Sequence, residues 1–151
     1  MIRVLLLLLG VFIVSCGPKT IFEKSYDIVN PWTYDQSYTY DFEIADTSKP
    51  YDLILSVSHL EDFGYENMYI KVTTTFPNGK SVVHPLSLQL ANSLGNWLGE
   101  CSRGQCTTEL AMSLKSYYKV PGTYKIKFDQ LTRDKNVSGI SSLKMQIIES
   151  Q

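Results

Sequence analysis

The sequence predicts an all-β domain, an antiparallel β-sandwich of jelly-roll-like form with seven to nine short strands, and three observations predict it. Apolar and polar residues alternate through most of the chain after residue 26, as in half-buried strands. Turn-forming clusters recur about every ten residues. The three-four spacing of amphipathic helices is missing, and only residues 86–94 offer material for a short covering helix on an open sheet, the alternative architecture.

Each element follows from its local pattern. In residues 38–44, Tyr38, Tyr40, Phe42 and Ile44 share one face and Thr39, Asp41 and Glu43 the other. Ser48-Lys49-Pro50 breaks the chain before residues 51–59, where Tyr51, Leu53, Leu55 and Val57 form the second alternating set, and residues 61–64 read as a turn. Residues 68–76 are rich in β-branched side chains. Pro77-Asn78-Gly79 then makes a hairpin turn, because asparagine and glycine tolerate the positive φ that such turns demand. The return strand, residues 80–90, carries Pro85, which cannot donate a ladder hydrogen bond and so suits an edge. An irregular glycine-bounded loop, residues 92–99, leads to Cys101 and Cys106. Strands at residues 108–118, 123–131 and 140–148 complete the set, with turns at Pro121-Gly122 and residues 134–139.

The N-terminus has a separate logic. Arg3 precedes residues 4–14, apolar apart from Gly10. A bilayer core of about 30 Å needs roughly twenty apolar residues, and Ser15-Cys16-Gly17-Pro18-Lys19 stops the run well short of that. Ile13-Val14-Ser15-Cys16 is similar to the lipobox of bacterial lipoprotein signals, closing a charged-then-apolar leader at the usual distance from the start. The similarity implies a cleaved signal peptide at residues 1–15 and a Cys16 that carries a diacylglycerol and an amide-linked acyl group such as palmitate. Two or three acyl chains hold a protein on a membrane effectively for good. Residues 16–25 are then expected to be a lipidated tether and residues 26–151 one domain, which needs no membrane-binding surface.

Composition narrows the function classes. Without Arg3, 13 Lys+Arg stand against 15 Asp+Glu, and no basic cluster offers nucleic acid a footprint. With Cys16 lipidated, Cys101 and Cys106 remain as an even pair in an exported domain, which reads as a disulfide closed around Gly104. A zinc site would need His59 and His84 as well, and these lack ligand spacing. The same two histidines are all the chain has for a hydrolytic triad, and neither sits in a nucleophile motif. Asp41 with Glu43 and Glu61 with Asp62 read as solvated carboxylates, and Asp62, Glu66 and Asn67 lack a calcium loop. No cofactor is expected. Tyr34, Tyr38, Tyr40, Tyr117 and Tyr118 are the available sugar-stacking platforms.

Tyr51-Asp-Leu-Ile-Leu-Ser-Val-Ser-His59, Tyr65-Glu-Asn-Met-Tyr69, Pro77-Asn-Gly79, Gly95-Asn-Trp-Leu-Gly99, Gly122-Thr-Tyr-Lys-Ile-Lys-Phe-Asp-Gln130 with Arg133, and Val137-Ser-Gly-Ile140 stand in this order. Together they resemble the gliding-motility lipoprotein GldH family of Bacteroidetes. The resemblance implies a non-catalytic envelope lipoprotein acting with the proteins of the gliding machinery and the associated type IX secretion system. The competing reading is a carbohydrate-binding or adhesion lipoprotein. Gly17-Pro-Lys-Thr20 lacks the acidic run expected of a surface-exported Bacteroidetes lipoprotein, which favours the outer membrane's periplasmic face. For partner binding the candidates are Trp97 and Arg103, in a loop whose glycines permit close approach; the other reading of Trp97 is a plug for the end of the sandwich.

Overall fold

The computed structural model describes residues 17–151; the leader and Cys16 lie outside the described residues. Eleven strands form it: β1 (Thr20–Asp27), β2 (Trp32–Thr33), β3 (Ser37–Ile44), β4 (Pro50–Leu60), β5 (Asn67–Thr75), β6 (Ser81–Gln89), β7 (Glu100–Ser102), β8 (Gln105–Tyr117), β9 (Gly122–Gln130), β10 (Asn136–Val137) and β11 (Ile140–Glu149). One sheet has the order β1-β11-β4-β8-β7 and the other β3-β9-β5-β6, with β2 and β10 pairing apart. Leaving aside the short β2, β7 and β10, eight strands in two four-stranded sheets are interleaved as in a jelly roll.

The alternating residues face inward as their period requires. Tyr40, Ile44, Leu55 and Val57 are fully buried, and from the other strands Ile70, Phe128, Leu143 and Met145 join them. The sheets are also stitched by phenols. The Tyr40 hydroxyl donates to the Leu143 carbonyl at 2.8 Å and that of Tyr26 to the Thr39 carbonyl at 2.6 Å. Burial, with Tyr26 and Tyr38 nearby, pushes the Tyr40 phenol far above its ordinary range.

The chain departs from the expected tether between residues 19 and 25. Thr20–Asp27 is an edge strand on β11, from Thr20 opposite Ile148 to Asp27 opposite Ser142. It is held because Phe22 and Tyr26 reach over the core, with ring centroids 5.8 Å from Phe42 and 5.1 Å from Tyr40 respectively. Residues 86–94 form no helix; residues 86–89 belong to β6, in which Pro85 lies on an edge as expected, and the rest form the loop that follows.

Because consecutive long strands run in opposite directions, every connection falls at one of two ends. The tether end holds Lys19, residues 45–49, the tip at residues 76–80 and the turn at residues 118–121. The loop end holds residues 28–36, 61–66, 90–99 and 131–139, together with the β7–β8 hairpin. At the tether end β8 carries two bulges against β4. They leave Lys115 in left-handed geometry (φ 48), its N–H held by the Asp52 carboxylate at 2.7 Å. That bond, and then the Ser150 hydroxyl, keeps Asp52 below the usual carboxylate range.

Candidate functional site

The loop end presents a groove of about 430 Å³ lined by Tyr65, Asn67, Tyr69, Leu131, Thr132, Arg133 and Asp134. Its geometry is set by one buried amide. Gln130 ends β9, where it is 3% exposed. Its Nε2 donates to the carbonyls of Asp134 at 2.8 Å and Lys135 at 3.2 Å. Its Oε1 accepts from the Thr132 N–H at 2.7 Å and the Thr132 hydroxyl at 2.8 Å. Both donors and both lone pairs of the amide are therefore engaged, and residues 131–135 are wrapped around it.

Two neighbours fix the loop from outside. The Leu131 N–H donates to the Tyr69 carbonyl at 2.9 Å, and the Tyr34 hydroxyl to the Thr132 carbonyl at 2.7 Å. The Tyr65 hydroxyl donates to the Asp134 carboxylate, which raises the phenol's pKa. Arg133 is left exposed between Tyr65, Tyr69 and Leu131, with no ion pair among the described residues. An arginine among half-exposed tyrosines on a fixed backbone is the composition of a binding hot spot.

Behind the groove runs a chain of ring contacts, from Tyr65 to Phe63 at 5.4 Å, Phe63 to His59 at 5.5 Å and His59 to Trp97 at 4.4 Å. Trp97 is half-buried and donates from Nε1 to the Glu61 carbonyl at 3.1 Å. The indole thus covers His59 and ties the 90–99 loop to the 61–66 loop. His59 is fully buried, its Nδ1 on the Leu60 carbonyl at 2.8 Å and its Nε2 without a partner. Gly139, at φ 98, closes the same end, because a Cβ there would stand 3.0 Å from the Phe63 ring.

Arg103 lies at the tip of the β7–β8 hairpin, exposed and at φ 55, next to Gly104 at φ 79. Cys101 and Cys106 face each other across this hairpin and are joined, with Cα atoms 4.0 Å apart. The hairpin meets the 61–66 loop through the Glu61 N–H and the Gly104 carbonyl at 2.9 Å. Trp97, Arg103 and the Tyr65–Arg133 groove therefore share one end of the sandwich. Sequence reasoning settled on the first two and passed over the groove. The signal for it was present in Tyr65, Tyr69, Gln130 and Arg133, all within the quoted motifs.

The remaining candidates are dispersed. Tyr38 and Tyr40 are buried and offer no platform. Asp41 pairs with Lys125 at 3.3 Å on an outer face. His84 is exposed on β6, in the other sheet from His59. Among the described residues no three His, Cys, Asp or Glu side chains are grouped to hold a metal ion. Tyr117 is 64% exposed at the tether end, and beside it burial, then Tyr124 and Tyr51, push the Tyr118 phenol up to about 12.

The chain is 26% identical over 140 residues to the gliding motility lipoprotein GldH of Flavobacterium johnsoniae, covering 92% of this chain and 87% of that protein. It is 25% identical over 130 residues to a GldH homolog of Christiangramia forsetii, covering 85% and 80%. Among solved structures, an exo-β-1,3-galactanase from Phanerochaete chrysosporium overlays with a TM-score of 0.33 at 12% identity, covering 85% of this chain and 27% of that one. That likeness is too faint to bear on function. Residues 20–147 match the family model described as GldH lipoprotein, and the chain belongs to that family.

Proposed function

We propose that this protein is a non-catalytic subunit of the gliding machinery and the associated type IX secretion system, anchored through lipid on Cys16 to the outer membrane's periplasmic face. Its loop end is the part that meets other envelope proteins. The observation that carries this reading is the exposed Arg133, set between Tyr65 and Tyr69 by the saturated Gln130 amide, at the opposite end of the sandwich from the tether. Trp97 and the disulfide-closed hairpin bearing Arg103 flank that contact surface. The absence of an acidic run after Cys16 supports the periplasmic placement, and the relatives' names support the motility role.

Arg133→Ala tests it. The arginine has no ion pair among the described residues, so the variant should keep its melting temperature and still lose gliding, secretion of type IX cargo, or both. Normal motility and secretion in a strain carrying the stable variant would refute the assignment. A carbohydrate-binding role is favoured by the exposed rings of Tyr65 and Tyr69 beside the same groove. It predicts that isolated envelope glycans bind wild type and fail to bind Tyr69→Ala.

A further inference from the structure

We propose that the tether end of the sandwich is a membrane-facing surface that docks on anionic phospholipid headgroups. It thereby holds the domain upright, with the loop end about 30 Å above the bilayer, the length of a nine-residue strand. This rests on Cys16 being lipidated. Lipid alone gives retention and leaves orientation free; the surface supplies the orientation.

The first argument is chain length. Only Gly17, Pro18 and Lys19 separate Cys16 from Thr20, where β1 begins paired with Ile148. At no more than about 3.6 Å per residue, the lipidated residue stays within about 15 Å of that strand end. β1 and β8 are separated in their sheet by β11 and β4 alone. A bilayer at the anchor is therefore also a bilayer at the tip of β8 and at the neighbouring 76–80 hairpin.

The second argument is what that end displays. Among the described residues β7 covers only residues 105–107 of β8, and β6 pairs with β5 alone, which leaves the rest of that β8 edge and the outer edge of β6 without a strand partner. Between them the sandwich opens into a cleft of about 650 Å³. Its mouth exposes Tyr117 at 64%, Val82 at 49% and Val120 at 47%. Lys80 and Lys119 flank it, no carboxylate lines it, and neither lysine makes an ion pair among the described residues. At the same end the carboxylate of Glu149 is already taken by Lys49 at 2.9 Å and Lys19 at 3.4 Å, and that of Asp46 by the Ser48 hydroxyl at 2.6 Å, with Lys49 at 4.0 Å. The loop end has the larger acidic share, Asp35, Glu61, Asp62, Glu66, Glu100 and Asp134 against Arg103, Arg133 and Lys135.

Exposed tyrosine and valine between unpaired lysines is the pattern that settles at a membrane interface. The rings and aliphatic groups sit at headgroup depth while the ammonium groups meet phosphate. Each lysine near an anionic surface is worth about fivefold in binding.

The test uses the full lipidated protein in vesicles of phosphatidylcholine mixed with phosphatidylglycerol. A fluorophore is placed on Val120→Cys or, at the loop end, on Ser93→Cys, and the quencher is a headgroup nitroxide lipid. Quenching at position 120 should exceed that at position 93 severalfold, and should fall on pure phosphatidylcholine and in the Lys80→Glu/Lys119→Glu variant. Equal quenching at the two positions would overturn the proposal, as would quenching at 120 that ignores the charge reversal. So would a site at 120 that cross-links to another envelope protein in place of lipid. Vesicle flotation reads the anchor separately: protein that floats but is not oriented defeats only the docking surface, whereas protein that does not float defeats the Cys16 reading and the surface with it.

Discussion

Gln130→Glu replaces one atom of the amide on which the groove is built, and its effect can be worked out from the four bonds of Gln130. The two accepted from Thr132 survive. The two donated to the carbonyls of Asp134 and Lys135 are lost, and an anion then faces two carbonyl oxygens at a position only 3% exposed. Two lost bonds at about 1 kcal/mol each, with unsatisfied acceptors beside a desolvated charge, give a deficit of about 2 to 4 kcal/mol at neutral pH. The pH dependence carries a definite sign. A carboxyl facing carbonyls has its folded-state pKa raised above the free value of about 4.3. Its protonated form can donate, so stability is present below the unfolded pKa and is lost as pH rises through the folded one. Urea melts of wild type, Gln130→Glu and Gln130→Ala between about pH 4 and pH 8 should show the Glu deficit shrinking in acid while the Ala deficit stays flat relative to wild type. A Gln130→Glu protein as stable as wild type at neutral pH, or one with a pH-independent deficit, would refute the claim that this amide organises the loop.

Trp97→Ala should cost about 2 to 3 kcal/mol, less than a fully buried tryptophan because the indole is half-buried, and should open His59 to solvent. Chemical denaturation together with the accessibility of the His59 ring to solvent exchange checks it; an unchanged melting temperature would make Trp97 a surface anchor instead. Non-reduced protein should show no reactive thiol from Cys101 or Cys106, and Cys101→Ser should cost about 2 kcal/mol or less without loss of fold. Cys16→Ala should leave an exported, folded and soluble domain that no longer takes up a fatty-acid label, and persistent labelling would place the lipid elsewhere.

Much of the fold was legible because one rule, period two, governs it. Seven of the long strands lie within a few residues of where alternation and turn chemistry put them, and the buried set Tyr38, Tyr40, Phe42 and Ile44 is the inward face expected of residues 38–44. β1 escaped that rule because Glu23, Lys24 and Ser25 give it the texture of a linker. Lys24 falls on the same side as Phe22 and Tyr26, a placement that works only because its ammonium reaches the Tyr26 ring, 4.4 Å from the centroid. β2 and β10 have two residues each, too short to carry any period. The candidate site was less legible for a different reason. The value of Gln130 lies in carbonyls four and five residues ahead, and no composition or spacing says that a loop will curl back onto a glutamine. Trp97 stood between two readings, a plug of the sandwich end and an exposed anchor among glycines, and spacing alone does not choose between them. In the structure, the bridge between Ala91 and Trp97 and the bond from the Leu98 N–H to the Leu90 carbonyl turn the indole inward.

The misreading of β1 also bears on the proposed function, because that strand sets which loops lie away from the lipid-bearing end. Had the chain remained a tether to residue 25, it would enter the sandwich near Ile28, at the same end as Tyr65, Trp97 and Arg133, and the lipid would draw those loops toward the bilayer. Pairing Thr20–Asp27 along β11 carries the entry point to the opposite end, so the strand separates the groove from the anchor by its own length. The residues that secure this pairing, Phe22 and Tyr26 against Phe42, Tyr38 and Tyr40, contribute to orientation as well as to the core. An edge strand with so much outward polar surface is the part of the sandwich most easily peeled away. Phe22→Ser with Tyr26→Ser should therefore loosen β1 before the remaining strands. Such a protein should keep its lipid and most of its fold and still lose motility, because its loop end would no longer be held clear of the membrane.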